Sequence, residues 1–242
     1  MRYLKPFVAI PLLAVVCVVV SVRAQTPAAA DRKPAANAPV AAAAAKPAAG
    51  YSLAIDGEIE PDFAPIVGRL TQLYYESYPK LVARFEHPER PAPRKIRLTF
   101  ERGMKVPAHC SGDVVTISID WLRRNPNDLG LLTHELTHAV QRYPSPNPGW
   151  FTEGLADYAR ALYGPKQQPG WSLPAKLTEK QSYTNGYTTS AKFLTWIDTK
   201  HPGTVDKLHR KMQDKTMTLD DFKTLTGKTV DELWAECVTE TQ

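Results

Sequence analysis

The chain has 242 residues, of which 43% are apolar and 23% charged, with a formal net charge of +5. Residues 1–50 hold six of the 30 basic side chains and one of the 25 acidic ones, which leaves 24 of each in residues 51–242. The positive balance therefore belongs to the N-terminal fifth, and the neutral remainder gives no support to the clustered basic face that a nucleic-acid partner requires.

Arg2 and Lys5 precede an apolar run from Phe7 to Val22, followed by Val22-Arg23-Ala24. This three-part pattern predicts a secretory signal peptide over residues 1–24, cleaved after Ala24. The run has 16 residues and contains Pro11, whereas a spanning helix needs about 20. An uncleaved membrane tether is thus the second reading, and no stable membrane insertion is expected after cleavage. Cys17 follows Val16 and not a small residue, which argues against a lipid-attachment site.

Residues 25–50 contain 13 alanines and 4 prolines, too interrupted for a long helix and too small-chained for a core. They read as a spacer ahead of a catalytic domain over 51–242, and localisation is expected to be secreted or periplasmic. Loss of Cys17 leaves Cys110 and Cys237, an even count that permits one disulfide or two separate thiols.

Apolar residues recur at three and four from Pro61 to Phe85, predicting a helix with Pro61 in its first turn. Lys95–Phe100 alternates and reads as a strand, and Gly112–Asp120 reads as a second, with a polar loop containing Gly103 and Pro107 between them. Asn127 or Asp128 is expected to cap a helix reaching about Tyr143. Pro144, Pro146, Pro148 and Gly149 break it, and a helix restarts from about Phe151 to Gly164. Further helical stretches are Thr188 or Thr189 to His201, Val205–Asp214, Thr218–Leu225 and Val230–Thr239. Strands early and helices late imply an α+β class with a small mixed sheet and a mainly helical C-terminal part.

Leu131–Val140 reads LLTHELTHAV. On a helix, His134 and His138 lie about 40° apart, on one face, and Glu135 sits about 100° from His134 at the edge of that face. Leu132, Leu136, Ala139 and Val140 take the opposite side. H-E-x-x-H alone is short enough to occur as two solvated histidines on an amphipathic helix. Two histidines also leave a catalytic zinc one protein ligand short. The positions where a third histidine and its glycine would fall in a metzincin hold Pro144 and Gln141, so the third ligand must come from elsewhere. WFTEGLADYAR supplies it as Glu153, with Asp157 about 40° away on the same polar face and Arg160 close by, while Leu155, Tyr158, Ala159 and Leu162 form the apolar side. Asp157 suits a carboxylate that receives the ring N–H of a metal-bound histidine, towards His134. His109-Cys110 has no separate His and Asn context and does not support a cysteine-protease site.

HELTHAVQ, WFTEGLADYAR and YTNGYTTSAKFLTWI, in that order, resemble the basic secretory protein family, whose members are similar to zinc metallopeptidases of the gluzincin group. The resemblance implies a zincin-like (gluzincin) fold with one Zn²⁺ per chain held by two His and one Glu, in agreement with the spacing of His134, His138 and Glu153. The folded part departs from the family's name in not being basic. Zinc lowers the pKa of a coordinated water to about 7, and Glu135 is placed as the general base. The oxyanion needs a donor besides the metal, and the same resemblance points to the segment with Tyr187 first and Tyr183 second. The strand Asp113–Ile119 is a candidate edge strand for pairing with an extended substrate.

The expected function is a zinc-dependent peptidase acting on peptide or protein substrates. The chain has no G-x-M-E-N-type run ahead of the metal helix to hold a free amine, which favours an endopeptidase. The alternatives are a wall- or glycan-associated binding protein with a non-catalytic metal site, or a hydrolase of cell-wall peptide crosslinks.

Overall fold

The structure, a computed structural model, describes residues 50–241. The leader assigned to 1–24 and, but for Gly50, the spacer assigned to 25–50 lie outside the described residues. Ser52–Ile55 forms β1, a strand too short to stand out in the sequence. The first helix, α1, spans Ala64–Phe85, so it opens three residues after Pro61. Pro65 takes the first-turn position, where a missing N–H costs no intrahelical bond.

Lys95–Glu101 is β2, and α1 makes the crossover that lets β2 run parallel to β1. The loop expected after it contains Ala108–Ser111 as β3, which pairs antiparallel with β4, Val114–Ser118. Gly112 and Asp113 are the two-residue turn between them, and Ile119-Asp120 open α2 (Ile119–Arg124), capped by Ser118 Oγ accepting from Trp121 N at 3.2 Å. The single strand expected over Gly112–Asp120 is thus a turn, a strand and a helix start.

The sheet order is β1-β2-β4-β3. This corrects the assignment of the edge strand to Asp113–Ile119: β4 is interior, with Val115 and Ile117 sealed on one face and Thr116 and Ser118 buried on the other. The edge is β3, packed beside the histidine helix. Two tyrosines of α1 tie that helix to the sheet, Tyr74 Oη donating to Ser52 O at 2.9 Å and Tyr78 Oη to Pro93 O at 2.7 Å.

The helices that follow are α3 (Gly130–Gln141), α4 (Gly149–Tyr163), α5 (Tyr187–Lys200), α6 (Thr204–Gln213), α7 (Asp220–Thr226) and α8 (Val230–Thr241). The α3 helix starts at Gly130 without a side-chain cap and ends on Arg142 in the left-handed region (φ 44°), short of Tyr143. It lies between α1, α4 and β3, with every residue but His138 buried; His134, Glu135 and His138 line a cleft, while Leu132, Leu136, Ala139 and Val140 take the opposite, core side. Leu132 and Leu136, fully sealed, each stabilise the fold by about 1.5–3 kcal/mol. Leu162, expected on the apolar side of α4, is exposed. The α4 and α5 helices approach closely at Gly154, where a Cβ would lie 2.6 Å from Ser190 Cβ. Cys110 and Cys237 are separate thiols, not a disulfide.

Behind the site, His209 of α6 is buried, its Nε2 donating to Phe85 O at 2.7 Å and its Nδ1 accepting from Tyr143 Oη at 2.7 Å. Both ring positions are spent on the neutral form, and burial pushes the imidazole down to about 4. An imidazole with a folded pKa below its unfolded value contributes stability that is complete above about pH 6.5 and lost as pH falls towards 4. The loss over that window is about 3 kcal/mol. Urea titrations between pH 7 and 4 should give a smaller loss for His209→Asn than for the wild type; equal slopes would refute the assignment.

Candidate metal centre

The first turn of α4 and the middle of α3 face each other across their packed interface. This brings His134 Nε2 within 3.2 Å of both His138 Nε2 and Glu153 Oε2, and His138 Nε2 within 3.7 Å of the same oxygen. A tetrahedral ion with bonds of about 2.0–2.1 Å sets its donors about 3.3–3.4 Å apart. Among the described residues, these three form the group able to hold a metal ion.

The outer ring atoms are also committed. His134 Nδ1 lies 2.7 Å from Asp157 Oδ1, and His138 Nδ1 lies 2.8 Å from Gln141 Oε1. The Gln141 amide is oriented by its Nε2, which donates to Thr152 O at 2.9 Å, so its oxygen faces the ring and His138 Nδ1 must be the donor. Both imidazoles thereby turn the lone pair of Nε2 towards the carboxylate of Glu153. Three lone pairs converging at this range repel unless a cation sits between them, so the donor set fits a metal ion.

The charge balance agrees. Burial alone would drive the His134 imidazole down, but Asp157 and Glu153 outweigh it and carry the pKa up to about 10. His138, buried beside His134, is held below its ordinary value. Burial opposes ionisation of Glu153, yet the two imidazoles hold it below the usual carboxylate range. The cluster demands positive charge at its centre, and a proton on His134 competes with a metal for it. Glu135, next in the chain, is pushed up to about 7 by burial.

The donors open onto a cleft of about 740 Å³ lined by β3, α3, α4 and the head of α5. Tyr187 stands at its mouth, half exposed, its ring stacked with that of His134 at 6.2 Å between centroids and 13° between planes. Gly186 (φ 77°, ψ −174°) and Tyr187 (φ 47°) are both in conformations that L side chains seldom adopt, and this local backbone turns the phenol towards the cleft. Tyr183 goes elsewhere: its hydroxyl donates to Asp231 at 2.9 Å, and its ring packs against Trp150, Phe193 and Trp234. Burial and Glu135 together raise the Cys110 thiol to about 12, the direction opposite to that of an activated cysteine.

A family model described as "Peptidase of plants and bacteria" (BSP) matches residues 73–237, from the middle of α1 into α8. The chain belongs to the basic secretory protein family. No curated protein and no solved structure matches it. The family is one of peptidases, and the match spans every residue of the candidate centre.

Gln141 and Asp128 were not read as site residues from the sequence. Gln141 lies three residues beyond His138 and Asp157 four beyond Glu153, each about one helical turn on, and that periodicity is the available signal. Removing either oriented contact, by Gln141→Leu or Asp157→Ala, should weaken metal binding about 10–100-fold. Chelator competition measures this, and unchanged affinity in both variants would detach these residues from the metal.

Proposed function

We propose that this member of the basic secretory protein family is a zinc-dependent endopeptidase of zincin-like (gluzincin) fold, acting on extended peptides outside the cytoplasm. The observation that carries the reading is the convergence of His134, His138 and Glu153 at donor spacings of 3.2, 3.2 and 3.7 Å, with Glu135 in the same cleft. An antiparallel edge strand beside an H-E-x-x-H helix, followed by a helix bearing the third donor, supports the fold assignment.

When bound, zinc supplies Lewis acidity, polarising a carbonyl and lowering the pKa of a coordinated water to about 7. Glu135, a buried carboxylate adjoining a metal donor, removes the proton of the attacking water and returns it to the leaving amine. Tyr187 donates its phenolic hydrogen to the developing oxyanion. The charge of Glu153, aided by burial, raises the phenol's pKa, so it is a protonated donor at neutral pH. Asp157 and Gln141 keep the two imidazoles oriented. Among the described residues no strand covers the outer side of β3, whose backbone is free to pair with an extended substrate. No helix among the described residues is long and apolar enough to cross a membrane.

The second reading, a wall- or glycan-associated binding protein with a non-catalytic ion, is disfavoured by Glu135. A purely structural site has no use for a buried base that ligates nothing. The test is hydrolysis of unfolded protein by the chain loaded with one zinc per molecule. Activity is expected to vanish with chelator and to return with zinc. A stoichiometric zinc protein that cleaves neither unfolded protein nor wall peptides would favour the binding module.

A further inference from the structure

Arg160 lies seven residues beyond Glu153 on α4, about 10 Å along the helix axis, and it lines the same cleft. It is only 6% exposed, and its guanidinium is fixed on three sides. Nε donates to Gln168 Oε1 at 2.8 Å, and Nη2 to Asp128 Oδ1 at 2.5 Å. Its flat face lies on Trp171, with Cζ 4.0 Å from the ring centroid. Asp128 is held in turn by Trp121 Nε1, which donates to its other oxygen at 2.8 Å. The remaining nitrogen, Nη1, has no hydrogen-bond partner among the described residues, and it is not sealed from solvent. Leu131, Trp121 and Trp171 border this part of the cleft.

A cation this deeply buried with three of its five N–H groups unspent, two of them on Nη1, costs free energy unless water or a ligand completes its shell. Its position is preorganised by the ion pair and the ring stack, so a ligand loses little freedom in meeting it. Asp128 offsets most of the net charge, so an uncharged acceptor is sufficient, and a carboxylate is also accommodated. A second cation is repelled.

We propose that Arg160 Nη1, with the indoles of Trp121 and Trp171, forms a substrate subsite that selects a side chain ending in an oxygen acceptor, the carboxamide of Gln or Asn or the carboxylate of Glu or Asp. The methylene stem of that side chain packs on the indoles while its oxygen accepts from Nη1. The inference rests on the peptidase reading for its meaning but not for its measurement. The competing role for Arg160 is to anchor the segment that carries Gln168 and Trp171.

The experiment varies one residue among Gln, Glu, Leu and Lys at each position of otherwise all-alanine peptides. Cleavage by the zinc-loaded full chain and binding to its zinc-loaded Glu135→Gln variant, followed by tryptophan fluorescence, are both measured. One position should favour Gln and Glu over Lys by 10–100-fold, the range for one hydrogen bond to a charged group. The ratio of Gln to Glu distinguishes the neutral acceptor from the charged one. Arg160→Lys keeps a cation for Asp128 but loses the fork, and it should reduce the Gln and Glu peptides at least tenfold more than the Leu peptide. Its melting temperature and zinc content identify a folding defect. The paired variant Asp128→Asn/Arg160→Gln, without a buried unpaired charge, then serves in its place. Equal losses for all peptides, or binding blind to the varied residue at every position, would overturn the subsite and leave Arg160 as an anchor. Selective binding without any cleavage would uphold the subsite and reject the peptidase.

Discussion

Glu135→Gln is expected to retain one zinc per chain and to lower kcat/KM for peptide hydrolysis by about 10²–10⁴-fold, the contribution of a positioned general base. That factor corresponds to about 3–5 kcal/mol of transition-state stabilisation. Glutamine matches glutamate in shape at a buried position, so the packing of α3 against α1 and β3 has no reason to change. It cannot take up a proton at neutral pH, so the step Glu135 performs is removed while His134, His138 and Glu153 are left alone. Zinc analysis and steady-state kinetics on the same preparation separate the alternatives. Loss of zinc would make Glu135 a ligand, and undiminished hydrolysis with zinc in place would remove the base from the mechanism.

The legibility of this site in the sequence depended on what kind of information each residue carries. His134, Glu135 and His138 share one helical turn, and Glu153 and Asp157 share another, so fixed spacing on a 3.6-residue repeat put each set on one face. The meeting of the two sets is tertiary, through the packing of α3 on α4, and was legible only because zinc chemistry demands a third donor. Tyr187 and Tyr183 were inseparable by spacing, since both flank Asn185-Gly186. Their separation lies in the backbone torsions of Gly186 and Tyr187 and in the Asp231 partner of Tyr183, which is 48 residues away in the chain.

The edge strand was lost for a different reason. Ala108–Ser111 has four small or polar residues and little β-branched character, so its strand state comes from pairing with β4 and not from propensity. The sequence offers Asn127 or Asp128 as a helix cap, because such side chains ahead of an apolar run usually are caps. Here Arg160 and Trp121 take up both oxygens of Asp128, and α3 begins uncapped after Leu129.

The metal's contribution to stability separates a ligand from an orienting residue, and Glu153→Ala should lose both zinc and activity. Its carboxylate supplies the third donor, 3.2 and 3.7 Å from the two Nε2 atoms, and without it two imidazoles alone face the ion. The fall in affinity is expected to exceed the factor of about 10–100 assigned to loss of an orienting contact such as that of Asp157. An ion that binds only the folded chain stabilises it by about 2.7 kcal/mol at a hundredfold excess over its dissociation constant. The melting temperature of the wild type should therefore rise with added zinc and fall with chelator, that of Asp157→Ala should respond only at higher zinc, and that of Glu153→Ala should respond to neither. Gly154 fixes the approach of α4 to α5 immediately beside this residue, so the alanine at 153 removes a donor without moving the helix that carried it. Wild-type zinc affinity in Glu153→Ala would remove Glu153 from the ligand set, because Asp157 is spent on the outer nitrogen of His134, Nδ1, at 2.7 Å and does not face the ion.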